Sequence, residues 1–253
     1  MSTPFLILLA GVAAGALNAI GGGGTFVALP ALVAAGMPPV LANAVSRIAL
    51  APAAVASAWV YRRDVIPVGP TSARALTAVS VLGSGVGAGL VLVLPAASFD
   101  AASPWLLAFA TVTLASGRYV SRVVSRLLGR SVLMSSRAVL IAQFFLAVYG
   151  GYFGGAVGIL TVAVWSIGLA LDTAVSNPMR VTQLAAIFLT SSVLFLIASD
   201  ALTAPLLLTA MLAGAVAGGF AGAYLARRFP AWLLRGVLLT TAVITTVLYF
   251  LRD

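Results

Sequence analysis

Two arginines stand inside apolar sequence, and their surroundings define the chemistry available to the chain. Arg47 lies roughly 12 Å into the stretch that opens at residue 39, at 1.5 Å per helical residue, and Arg180 sits slightly shallower in the stretch that opens at 174. Each follows an asparagine by about one turn, in Ala42-Asn43-Ala-Val-Ser-Arg47 and Ser176-Asn177-Pro-Met-Arg180. An arginine within a membrane span costs at least ~2.5 kcal/mol on insertion scales, and such residues mostly face a cavity or a partner. No carboxylate lies inside the same stretches. An anion is the natural counter-charge, because a guanidinium presents a fork of donors to planar or forked oxyanions. The structural alternative is that each arginine snorkels to an interface or binds helix carbonyls.

Glycine supplies the second signal. Gly21 to Gly24 form an unbroken run followed by Thr25, and Gly154, Gly155 and Gly158 precede Thr161 in the second half. Glycine is a poor helix former, and broken helices are tolerated in a bilayer only where protein or a watery cavity satisfies the freed backbone. A short helix starting near Thr25 would point its N-terminal N–H groups at the break, an arrangement that favours anions. Close helix packing through small residues is the alternative. Asn18, Thr25, Ser46, Gln143, Thr161 and Gln183 add neutral polar groups, for which hydrogen bonding between helices is the plainer use. The expected substrate-binding set is Arg47, Arg180, Asn43, Asn177, Asn18, Gly22, Gly23, Gly24, Thr25, Gly155, Gly158 and Thr161.

Other chemistry is scarce. The chain has no histidine or cysteine, and its five acids are all aspartates, at 64, 100, 172, 200 and 253. That inventory removes thiolate and imidazole metal sites and most acid–base catalysts, so neither an enzyme nor a metal or cofactor is expected. No phosphate-binding loop motif appears, which argues against ATP as a driver. The net charge of +9 comes from 14 arginines and no lysine. Its distribution along apolar segments points to membrane orientation and anionic lipid rather than to nucleic acid.

These residues need an apolar scaffold. Of 253 residues, 62 % are hydrophobic and 8 % charged, where a soluble domain carries about a quarter charged. The sequence predicts an all-α integral membrane protein with ten segments, at 4–20, 24–36, 39–61, 74–95, 103–120, 137–153, 156–171, 174–198, 203–226 and 231–251. The first is read as a membrane segment and not a cleaved leader, because no basic region precedes it. Arg62, Arg63 and Arg74 follow the third segment; Arg118, Arg122, Arg126, Arg130 and Arg137 follow the fifth; Arg227, Arg228 and Arg235 follow the ninth. Those eleven arginines fall on one face if the segments cross in turn, and the positive-inside rule makes that face cytoplasmic. Asp100 and Asp200 fall on the other face, with both termini outside the cytoplasm, and Asp172 alone sits against the split. A bacterial inner membrane is the expected setting.

The sequence also repeats. Gly15, Gly22 and Thr25 match Gly151, Gly158 and Thr161 at one offset, and the Asn–Arg pairs follow in the same order. Each half holds five segments, an odd number, so the halves are expected to insert with opposite orientation, as in many secondary transporters. The expected divisions are a first repeat at 1–120, a basic cytoplasmic loop at 121–136 and a second repeat at 137–253, each repeat carrying one glycine-broken helix pair.

The run Gly15-x-x-Asn-x-x-Gly-Gly-Gly-Gly24, Pro30 and Gly36-x-Pro38-Pro39-x-x-Ala42-Asn43-Ala44 resembles the TauE/SafE sulfite exporter family, also called the TSUP transporters. The second half keeps its Asn177 but lacks the unbroken glycine run, and Ser166 sits near where a proline would match Pro30. The resemblance implies a secondary transporter, an exporter of a small sulfur-containing anion such as sulfite or an organosulfonate. An anion channel, or a carrier for a non-sulfur organic anion, is the alternative reading.

Overall fold

In the computed structural model the described residues are 2–67, 69, 71–127, 134–169, 173–226, 228 and 231–251. They form ten α-helices: α1 (Thr3–Gly21), α2 (Thr25–Ala34), α3 (Pro39–Tyr61), α4 (Ala73–Val93), α5 (Ala96–Leu127), α6 (Ser136–Tyr152), α7 (Val157–Leu169), α8 (Thr173–Ala198), α9 (Pro205–Ala226) and α10 (Ala231–Phe250). A single 3-10 turn, Asp200–Thr203, precedes α9. Among the described residues four helices are long and apolar enough to cross a membrane: α3, α4, Ser176–Ala198 of α8 and Pro205–Gly222 of α9. Thr3–Ala19, Thr25–Ala34 and Gly236–Phe250 are shorter apolar helices. Large apolar side chains such as Leu82, Trp105, Phe145, Ile197 and Phe220 are exposed on the outer surface, as a lipid-facing protein requires.

Helix ends follow local chemistry. Ser72 and Ser135 cap α4 and α6, accepting from the backbone N–H groups of Ala75 and Ala138. Pro38 and Pro39 open α3, where the missing N–H costs nothing. The fifth segment differs from its expected length. Its helix begins seven residues earlier than 103 and runs on to Leu127. Arg118, Arg122 and Arg126, expected in a loop, therefore lie four residues apart on the last turns of α5, because between Gly117 and Gly129 no glycine or proline occurs. Arg130, Asp172 and Arg227 lie outside the described residues.

α2 and α7 are short. Ten and 13 residues cover about 15 and 20 Å, less than the ~30 Å hydrocarbon core. The long helices pack through glycine. Leu8, Val12 and Ala16 of α1 meet Gly214, Gly218 and Gly222 of α9 in order, so the two helices run parallel with their backbones in contact. Phe144 and Val148 of α6 meet Gly83 and Gly87 of α4 in the same way. α8 runs with these two, since Gln183 bonds to Thr77 and Ser80 while the Ile187 carbonyl accepts from Ser84 at 2.8 Å. α5 is antiparallel to α6, with Phe99 beside Tyr152 and Phe109 beside Tyr149, and antiparallel to α10, with Trp105 on Phe250 and Thr111 bonded to Ala242 and Thr246.

The pairings recur. α1 with α9, α3 with α9 and α2 with α10 become α6 with α4, α8 with α4 and α7 with α5 when every helix number moves by five, and α3 packs on α8 in the middle.

Candidate functional site

Two interruptions sit at the centre of these contacts. α1 closes on Gly22, which takes the left-handed conformation at φ 74° and donates its N–H to the Asn18 carbonyl at 2.9 Å. Gly23 and Gly24 follow, and α2 starts at Thr25. In the second half α6 ends at Tyr152, and Gly154 takes the left-handed conformation at φ 79°. The buried Ala156 also has positive φ, at 57°, immediately before α7. The left-handed glycine of the second interruption is therefore Gly154, while Gly158, the sequence match of Gly22, lies inside α7. The second break falls about one turn earlier than the sequence register implies. Thr161 is accordingly a helical residue bonded to the Val157 carbonyl, whereas Thr25 opens its helix.

The two interruptions meet. A methyl group on Gly22 would lie 3.6 Å from the Gly158 nitrogen and 3.6 Å from Leu184 of α8. Around the first break, Gly24 lies against the Ala14 carbonyl and the Asn18 side chain, and Gly23 against Leu238. Gly155 packs on the ring of Phe153.

Arg47 reaches across to the second break. It is fully buried, one Nη2–H donates to the Gly150 carbonyl near the end of α6, and its guanidinium stands 4.8 Å from the centre of the Phe188 ring. A side-chain carbon on Gly154 would overlap that guanidinium. Its own backbone carbonyl accepts from Ser192 of α8 at 3.0 Å. One turn before it, Asn43 donates Nδ2 to the Tyr152 carbonyl at 2.9 Å. Arg47 and Asn43 thus hold two of the carbonyls left free where α6 stops. Ser46 turns back on the Asn43 carbonyl at 2.8 Å.

Arg180 is placed differently. Its Nε and Nη2 both donate to Asn177 Oδ1, at 3.2 and 2.5 Å, one turn back on the same helix, and both residues are only partly buried. The position on α8 that touches the first break belongs to Leu184. The Asn–Arg pairs are alike in sequence and unlike in use.

Several polar atoms around the breaks have no partner. Asn18 Oδ1, Thr25 Oγ1, Asn43 Oδ1 and both Nε and Nη1 of Arg47 are buried without a hydrogen bond. A buried polar group left unpaired costs about 1–3 kcal/mol, and more when it is charged. The described aspartates, Asp64, Asp100 and Asp200, are all exposed, so none supplies a counter-charge at Arg47. The arrangement offers a cation with two free donor nitrogens in a water-poor interior, which suits a small oxyanion.

Sequence reasoning counted Gly154 among the second-half glycines but left it out of the binding set, and it gave no site role to Gly150, Tyr152 or Phe188. Gly154 was legible as a glycine shortly after an apolar helix. The carbonyls of Gly150 and Tyr152 carry no residue-type signal, because any residue offers one.

Below this level lies a second polar layer. Gln143 Nε2 donates to Ser80 Oγ at 2.8 Å, Ser80 donates to Gln183 Oε1 at 2.9 Å, and Gln183 Nε2 donates to Thr77 Oγ1 at 3.2 Å. The chain ties α6, α4 and α8 together. One turn back on each helix, Val139, Leu76 and Met179 pack with Trp165 in an apolar cluster separate from the main core.

The description Sulfite exporter TauE/SafE belongs to a family model that matches residues 7–249, nearly the whole chain. No curated protein and no solved structure matches.

Proposed function

The chain belongs to the TauE/SafE sulfite exporter family, and on that footing we propose that it is a secondary transporter exporting a small sulfur-containing anion, sulfite or an organosulfonate, across a bacterial inner membrane. The observation that carries this reading is Arg47: a fully buried guanidinium with two of its three nitrogens unpaired and every described carboxylate at an exposed position. One carbonyl and one aromatic face are meagre compensation for a buried charge, and an anion supplies the rest. Asn43, Asn18 and Thr25 complete the binding set in this reading, with Gly22 to Gly24, Gly155 and Gly158 allowing close approach of backbone. Arg180, Asn177 and Thr161 stand at its edge.

The repeated helix pairings support a duplication with its halves inserted in opposite senses. Parallel pairs α1–α9, α4–α6 and α4–α8, with α5 antiparallel to α6 and α10, agree with ten segments that alternate in direction. The arginine distribution then supports a cytoplasmic face at the ends of α3, α5 and α9, and outward termini. An anion leaving a cytoplasm held negative gains roughly 2.3 kcal/mol per charge per 100 mV, so export needs no further energy source.

Reconstituted protein decides the matter. Saturable uptake and counterflow of sulfite, thiosulfate or a sulfonate is the expected result. Equal flux of carboxylates would remove the sulfur specificity, and flux that never saturates would make the protein a channel.

A further inference from the structure

The Asn43–Tyr152 hydrogen bond fixes more than a helix end. Amide oxygen and nitrogen are hard to tell apart by shape, but a backbone carbonyl can only accept. Nδ2 must therefore face Tyr152, and Oδ1 must face away. Oδ1 is buried and receives no donor. On Arg47, one turn along the same face of α3, Nε and Nη1 are buried and find no acceptor. The pair thus leaves open one acceptor and two charged donor nitrogens on side chains one turn apart on α3, where Cβ atoms at i and i+4 stand roughly 5–6 Å apart.

A fully deprotonated oxyanion matches only half of this. Its lone pairs suit the guanidinium but confront the Asn43 carbonyl, oxygen against oxygen. An oxyanion that keeps one O–H suits both ends. We infer that the site selects the proton-bearing monoanion of an oxyacid, with its charged oxygens on Arg47 and its hydroxyl donated to Asn43 Oδ1. The inference rests on the proposed transport of a sulfur oxyanion, and for sulfite it names hydrogensulfite as the species carried. The proton then travels on the cargo. A chain with no histidine or glutamate, and with its described aspartates at exposed positions, needs no relay of its own to move it.

The titratable groups on the elements packed about α3 and at the second break are Arg137, Tyr149 and Tyr152 of α6, Arg180 of α8, Asp200 of the 3-10 turn, Tyr224 of α9 and, on α5, Asp100, Arg118, Tyr119, Arg122 and Arg126; α3 itself adds Arg47 and Tyr61, and α1 and α2 carry none. The chain has no histidine, cysteine or glutamate, so the side-chain types whose ordinary values lie nearest neutrality are missing. A pH dependence of transport near neutrality belongs to the substrate.

The test uses the full chain in proteoliposomes, with flux through protein-free liposomes subtracted. Sulfite is held at fixed total concentration on both sides of the pH at which hydrogensulfite loses its proton. Methanesulfonate, which has no proton to lose there, runs beside it. Wild-type sulfite flux should fall about tenfold per pH unit above the crossover while methanesulfonate flux stays level. Asn43→Leu, which keeps the bulk and removes the acceptor, should lower hydrogensulfite flux by about tenfold and methanesulfonate flux by less than about twofold. Sulfite flux that holds steady or rises above the crossover overturns the inference, and so does an equal loss of both fluxes in Asn43→Leu. Should that variant fail to fold, or the wild type refuse methanesulfonate, the wild-type sulfite profile decides alone. A wild type that moves neither anion overturns the transport reading and this inference with it; one that moves methanesulfonate but shows a flat sulfite profile overturns this inference only.

Discussion

The guanidinium of Arg47 rests on the backbone of Gly154, two residues that the sequence places more than a hundred positions apart and that the fold brings into direct contact. Gly154 has to lack a side chain twice over, for its left-handed backbone at φ 79° and for the arginine that covers it. The cation and the break form one unit, and the variants that follow separate its parts.

Arg47→Ala removes the cation from the centre of the site. Folding should largely survive, since a costly buried charge is lost along with its carbonyl bond, while anion flux falls by about a hundredfold or more, the loss of a charge-assisted contact of about 3 kcal/mol. Arg47→Lys keeps the charge but not the fork and should retain partial flux. Normal flux in Arg47→Ala, beside an unchanged melting temperature, would place the site elsewhere.

Gly154→Ala should lower thermal stability by about 1–2 kcal/mol for the left-handed backbone alone, with a further loss from the overlap with Arg47. In an Arg47→Ala background the second part disappears. A double-mutant cycle on unfolding in detergent reads the difference, and strictly additive losses would show that the two residues do not touch.

Cysteine labelling on this cysteine-free chain tests the orientation. Single cysteines at positions 63 and 126 should react from the cytoplasmic side, and one at 202, beside Asp200, from the opposite side. Positions 63 and 126 found on different faces would end the proposed inverted arrangement.

The buried layer of Gln143, Ser80, Gln183 and Thr77 should behave as a coupled unit. Ser80→Ala and Gln183→Leu, alone and together, are expected to show a coupling of about 0.6 kcal/mol, the mean for interhelical hydrogen bonds within membranes. Zero coupling would mean that the side chains find other partners when one is lost.

α4 offers a contrast within a single helix. A side-chain carbon on Gly87 would overlap the Val148 carbonyl, whereas Gly85 and Gly89 face open space. Gly85→Ala should leave stability unchanged or raise it by up to about 1 kcal/mol through helix propensity, and Gly87→Ala should lower it by about 1–3 kcal/mol through overpacking. Equal effects on melting temperature would refute the close α4–α6 packing.

Helix positions were readable because apolar length and charged punctuation both act locally. The third segment, 39–61, coincides with α3, and eight others end within two residues of their helices. The exception, α5, extends beyond its apolar part because arginine and serine sustain a helix as well as they signal a loop. The site was legible in part. Arg47 and Asn43 stood out by type, yet their partners are carbonyls and a phenylalanine, which no residue pattern announces. Register failed in the second break, where glycines at 154, 155 and 158 offered three places for one left-handed residue and the fold uses Gly154, against the Arg47 guanidinium. Arg180 resembled Arg47 in spacing, but two residues separate it from Asn177 where three separate Arg47 from Asn43, enough to let it fold back on its own helix.

The pairing of α1 with α9 has a bearing on synthesis. α1 emerges from the ribosome first, and its glycine-lined face finds its partner only when α9 appears, roughly 180 residues later, or about 10–40 s at ordinary translation rates. α4 waits for α6 more briefly. The first five helices therefore enter the bilayer with two of their closest contacts unmade. A chain cut between α5 and α6 should yield fragments that assemble when produced together and are degraded when produced alone, for neither half owns a complete set of interfaces.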